Sequence, residues 1–161
     1  MLRSYLISLF AAALFLAGCA QSTATAYPNP ETGQTAISMP SLQGDWRIKL
    51  THSGGIMGLL RTMEISSDGS YTVTDERSSQ TVTKTLGPKE LQELTRLISS
   101  AQYIAPSGPN GMVCADCFVY DLEIKGSDST FTIQLNDISL PDSGMAPVIA
   151  HLRDLIDKAL K

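Results

Sequence analysis

The stretch that decides the fold is Trp46-Arg47-Ile48-Lys49-Leu50-Thr51-His52-Ser53-Gly54-Gly55-Ile56-Met57-Gly58. Trp46, Ile48 and Leu50 alternate with Arg47 and Lys49, the period of a strand with one buried and one wet face. The glycine-rich run then breaks the alternation, and Leu59 to Ile65 resumes an extended pattern. Two extended segments joined by a short glycine loop predict an antiparallel hairpin.

Working outward, Ser67-Asp68-Gly69-Ser70 is a second hairpin signal, because Asp-Gly tolerates the positive φ of the favoured two-residue turns. Tyr71 to Thr74 returns as a third strand, and Thr81 to Thr85 forms a fourth after the polar stretch Asp75 to Gln80. Pro88 opens a helix, where its missing N–H costs nothing. Leu91, Leu94, Leu97, Ile98 and Ala101 share one helical face, with Glu90, Glu93 and Arg96 off it. Pro106 to Gly111 is a loop by composition. Phe118, Tyr120, Leu122 and Ile124 alternate with Val119, Asp121 and Glu123, and Phe131, Ile133 and Leu135 form the returning strand. A last helix carries Val148, Leu152, Leu155, Ile156 and Ala159 on one face. The order β-β-β-(β)-α-β-β-α predicts an α+β fold, an antiparallel sheet of four to six strands with two amphipathic helices on one face.

The N-terminus reads differently. Arg3 precedes an apolar run from Leu6 to Leu16, and Leu16-Ala17-Gly18-Cys19 follows. A basic n-region, an apolar h-region and small residues before a cleavage point make a secretory signal peptide over residues 1–18. The run is shorter than the roughly 20 residues of a membrane span. Its ending resembles a bacterial lipobox, which makes Cys19 the lipid-bearing first residue of the mature chain. The expected location is the bacterial cell envelope, as a lipoprotein held to the membrane through Cys19 and facing the periplasm or the exterior. Residues 19–44 are rich in Ser, Thr, Pro and Gly and show no period, so a flexible tether is expected, with a coil reach of roughly 25–30 Å. The folded domain is expected over 45–161.

Removing residues 1–18 takes away Arg3 and leaves 11 basic against 16 acidic residues, a net charge of about −5. No basic cluster stands out, which argues against nucleic acid as a partner. There is no His-Glu-x-x-His and no Gly-x-Ser-x-Gly, and the two histidines, His52 and His151, read as surface or capping residues. No catalytic residue, cofactor or metal ligand set is assigned, and the chain is expected not to be an enzyme. Cys114-Ala115-Asp116-Cys117 precedes a strand rather than the helix that a thioredoxin-type motif needs. One Cys pair is only half a structural zinc site. In an oxidising envelope the plain reading is a local disulfide between Cys114 and Cys117.

Ser53-Gly54-Gly55-Ile56-Met57-Gly58 is not a phosphate cradle, since no helix follows the glycines. Its glycines serve a hairpin turn, and its two apolar residues read as a loop presented to a partner's cleft. Together the motifs resemble the emfourin family, proteinaceous inhibitors of protealysin-like metalloproteases of the thermolysin class. Arg47 to Gly58 matches that family's opening strand and glycine loop. Leu86-Gly87-Pro88-Lys89-Glu90-Leu91 is similar to its helix start, Phe118 to Ile124 to its aromatic strand, and Pro147-Val148-Ile149 with Leu152 to its closing helix. The resemblance covers about residues 46–160. It implies a lipid-anchored inhibitor-like domain whose partner is a secreted or envelope metalloprotease, with Ser53 to Gly58 as the protease-binding loop. The alternative is a non-inhibitory envelope binding or assembly lipoprotein on the same fold.

Overall fold

The computed structural model describes residues 36–105 and 114–161. The expected signal peptide, the expected lipidation site Cys19, most of the expected tether and the Pro106 to Gly111 loop lie outside the described residues. Eight strands, two α-helices and one short 3-10 turn make up the described part: β1 (Ala36–Ser38), β2 (Arg47–Gly54), β3 (Leu59–Ser66), β4 (Ser70–Asp75), β5 (Gln80–Thr85), α1 (Pro88–Ser100), β6 (Gln102–Ile104), β7 (Phe118–Lys125), β8 (Thr130–Asn136), the 3-10 turn (Pro141–Ser143) and α2 (Ala146–Ala159).

Six of the strands form one antiparallel sheet in the order β5-β4-β3-β2-β7-β8. Strands β2 to β5 run as a meander, and the β7–β8 hairpin joins the other edge of β2 after the connection through α1. The fold is α+β, as the alternating pattern predicts. Alternation sets the faces: Ile48 and Leu50, Met63 and Ile65, Tyr71 and Val73, Tyr120, Leu122 and Ile124, and Ile133 and Leu135 are all buried. The residues between them carry the wet face, where Lys49 pairs with Glu64 at 3.3 Å and Thr72 bonds Thr83 at 3.1 Å. One packed and one solvated face is the usual economy of an antiparallel sheet.

The helices close the packed face. Helix α1 buries Leu94 and Ile98, and α2 buries Val148, Ile149, Leu152, Leu155, Ile156 and Ala159. Truncating a fully buried member such as Leu152 to Ala would cost about 2–5 kcal/mol, because the cavity cannot refill. Two of the helix ends, the start of α1 and the C-terminal end of α2, take side-chain partners. Gly87 offers α1 no capping oxygen, so the Glu90 carboxylate reaches back to accept the Gly87 N–H at 2.9 Å. At the C-terminal end of α2 the Lys84 ammonium donates to the Lys158 carbonyl at 2.9 Å.

Two expectations change. The domain boundary at Asp45 is too late. Ala36 to Ser38 pair with Gln102 to Ile104 as a second, two-stranded antiparallel sheet, and Met39 and Leu42 pack against the core. The Asp128 carboxylate accepts the Ser41 N–H at 3.0 Å. Residues 36–44 therefore belong to the fold and not to the tether. The turn at Asp68-Gly69 also differs from a two-residue loop. Ile65 pairs with Tyr71, Gly69 N–H bonds the Ser66 carbonyl at 2.9 Å, and Gly69 alone within the turn has a positive φ. That is a type I-like turn closed by a left-handed glycine, the next commonest hairpin solution.

Candidate functional site

The β2–β3 hairpin projects its loop from one end of the sheet. Gly54 pairs with Leu59, and Gly58 N–H donates to the Gly55 carbonyl at 2.9 Å, so Gly55 to Gly58 form a closed turn. Two glycines are required by space as well as by φ. A Cβ on Gly54, at φ +98°, would fall inside the Cys117 carbonyl oxygen. One on Gly55, at φ +68°, would stand 2.7 Å from the Phe118 ring. Any side chain there forces the loop off its support.

That support is the neighbouring segment. Cys114 and Cys117 are joined as a disulfide, with Cα atoms 5.3 Å apart. The Cys117 carbonyl accepts the Gly55 N–H at 3.1 Å. Phe118 N–H in turn donates to the Asp137 carboxylate at 2.8 Å. The loop rests on a cross-linked turn, and its tip is free of the core: Ile56 is 86% exposed and Met57 71%. Leu60, one step down the solvated face, is 40% exposed. Sequence reading names Ile56 and Met57 as presented residues. It misses Leu60, whose outward register only the strand pairing reveals.

Beneath the loop opens a cleft of about 320 Å³ between the sheet and α2. His52 and Arg61 are cross-strand partners there, and Arg153 and Asp157 descend from α2. Contrary to expectation, His52 is no surface residue. It is buried, its ring stacks on Tyr120 with centroids 5.0 Å apart, and it tilts against Phe118 at 4.9 Å. Burial, then the Arg153 and Arg61 charges, pull its pKa from 6.5 down to about 4, so the imidazole is neutral at pH 7. The second histidine, His151, is half-buried on α2 with its Nε2 sealed and unpartnered.

The charges around the cleft are largely matched. Arg61 Nε donates to Asp75 at 2.9 Å and its Nη1 to Asp157 at 3.0 Å. Arg61, with the Ser78 and Arg77 N–H groups, holds the Asp75 carboxyl below its ordinary value. The Tyr120 hydroxyl donates to Asp137 at 2.9 Å and accepts from Arg153 Nη1 at 3.2 Å. Burial and the Asp137 bond push the Tyr120 pKa up to about 12. This network fixes rings and guanidinium groups around a neutral His52. Among the described residues no group of three or more His, Cys, Asp and Glu is placed to hold a metal ion, and no helix is long and apolar enough to cross a membrane.

Fold and site together define an α+β domain that presents a braced, apolar-tipped hairpin over a cleft lined by charged and apolar side chains. No protein-family model matches the chain, and no curated protein matches its sequence.

Proposed function

We propose that the domain is a lipid-anchored binding module of the cell envelope that inhibits a thermolysin-type metalloprotease through its Ser53 to Gly58 loop. The observation that carries the reading is the pair Ile56 and Met57, apolar side chains held in water at the tip of a closed turn. Exposed apolar groups on a braced backbone suit insertion into a cleft. Seating one such side chain in an apolar subsite is worth about 1.5–3 kcal/mol. Bracing by the Cys114–Cys117 turn spares the loop ordering cost that a mobile peptide incurs on binding. The resemblance of Arg47 to Gly58 and of the closing helix to the emfourin pattern supplies the target class. Lipid on Cys19 would hold the domain near its membrane and raise its local concentration there.

The test is titration of the full chain against a panel of thermolysin-type metalloproteases with a quenched peptide substrate. The reading expects dose-dependent inhibition by a chain that stays uncut at the loop. No inhibition across the panel, or rapid cleavage between Gly55 and Gly58, would refute it. Capture of a protease without loss of proteolysis would favour the non-inhibitory binding role.

A further inference from the structure

Arg153 stands apart from the other charges of the cleft. Asp75 and Asp157 are both engaged by Arg61, and Asp137 is engaged by the Phe118 N–H and the Tyr120 hydroxyl. That leaves Arg153 with one hydrogen bond, to a neutral phenol at 3.2 Å, and a position 5.6 Å over the same ring. Its Nε is sealed from solvent with no partner. Beside it lies His52, 5% exposed and lining the cleft, whose Nε2 also lacks a partner. Arg153 is a half-buried cation in the cleft lining that no carboxylate among the described residues engages, so an anionic ligand entering the cleft would offset its desolvation cost. The guanidinium fork matches a carboxylate in two parallel hydrogen bonds. Apolar side chains, Met57, Ile56 and Phe118, line the same cleft.

We propose that this cleft is a binding site for the free C-terminal carboxylate of a peptide ending in an apolar residue. Arg153 grips the carboxylate, and the terminal side chain lies against Phe118 and Met57. A C-terminal residue carries both groups on one Cα, as a cleft lined by a cation and apolar side chains requires. An acidic side chain or an inorganic anion brings the charge without the apolar neighbour. The site does not rest on the inhibitor reading, since its ligand is tested with the chain alone.

The experiment is NMR titration of the full chain with N-acetyl-leucine, N-acetyl-leucinamide, acetate and phosphate, following the Arg153 Nε–H, the His52 ring protons and the amides of Gly55 to Met57. N-acetyl-leucine should move all three sets and raise the His52 titration midpoint, because a bound anion offsets the Arg153 field. The amide should bind at least about tenfold more weakly. Arg153→Gln should abolish binding while the amide spectrum of the β7–β8 hairpin is retained. The His52 midpoint shift tests the site in the unaltered chain should that variant misfold. A short peptide ending in Leu, tested beside the free derivative, should bind at least as well. The proposal fails if the amide binds equally, if acetate or phosphate binds as tightly as N-acetyl-leucine, or if no resonance of the cleft moves.

Discussion

Acidification should destabilise this domain through His52 before its carboxylates matter. In the fold the His52 pKa is about 4, against 6.5 for an unburdened imidazole. Between those values the unfolded chain binds a proton that the folded chain excludes, so stability falls as pH drops through the window and is fully present above it. Integrating the difference gives a loss of about 2 kcal/mol between pH 7 and pH 5, rising to about 3 kcal/mol near pH 4. Asp75 acts lower: the Arg61 hydrogen bond holds its carboxyl below the ordinary carboxylate value, so its contribution is lost only as pH falls beneath the ordinary carboxylate range. Urea unfolding at a series of pH values, followed by the single tryptophan, buried Trp46, measures the effect. His52→Phe keeps a flat ring between Phe118 and Tyr120 and should flatten the slope between pH 7 and pH 5. A slope that is unchanged in His52→Phe, or a parent stability that is constant over that window, would refute the argument.

Gly54→Ala should cost about 2–4 kcal/mol, from positive-φ strain and the collision with the Cys117 carbonyl, read as a lower urea midpoint. Cys114→Ser combined with Cys117→Ser should lower stability by about 1–3 kcal/mol without abolishing folding, since the closed loop is short, and should speed amide exchange at Gly55. Thiol titration of the parent should find neither cysteine free. Cys19→Ala should release the chain from the membrane fraction after fractionation, since no other anchor is expected, and persistence with membranes would contradict the lipid reading.

The six-stranded sheet was legible because its alternation is regular: Ile48 and Leu50, Tyr120 to Ile124 and Phe131 to Leu135 each announce a face. The two-stranded sheet was not. Ala36 to Ser38 and Gln102 to Ile104 are three residues each, too short to show a period, and the first sits in a stretch whose composition reads as linker. The loop's apolar tip could be read from glycines flanking two apolar residues. The cleft could not, because His52, Arg61 and Tyr120 become neighbours only through strand register, and Arg153 arrives from a helix a hundred residues later in the chain. His52 reads as a surface residue when the alternation is followed only as far as Leu50. Its alternation with Leu50 and Ile48 does place it on the inner face, and that is the signal that could have marked it as buried.

The central claim is that Ile56 and Met57 form the edge that enters a metalloprotease cleft. The most direct measurement is the inhibition constant of Ile56→Asp beside that of the unaltered chain, against a protease the chain inhibits. A charge carried into an apolar subsite without a partner should weaken inhibition by about 2–4 kcal/mol, roughly thirtyfold to a thousandfold. The urea midpoint should barely move, because an 86% exposed side chain supports no packing. Undiminished inhibition by both Ile56→Asp and Met57→Asp would contradict the account and place the binding edge elsewhere on the domain.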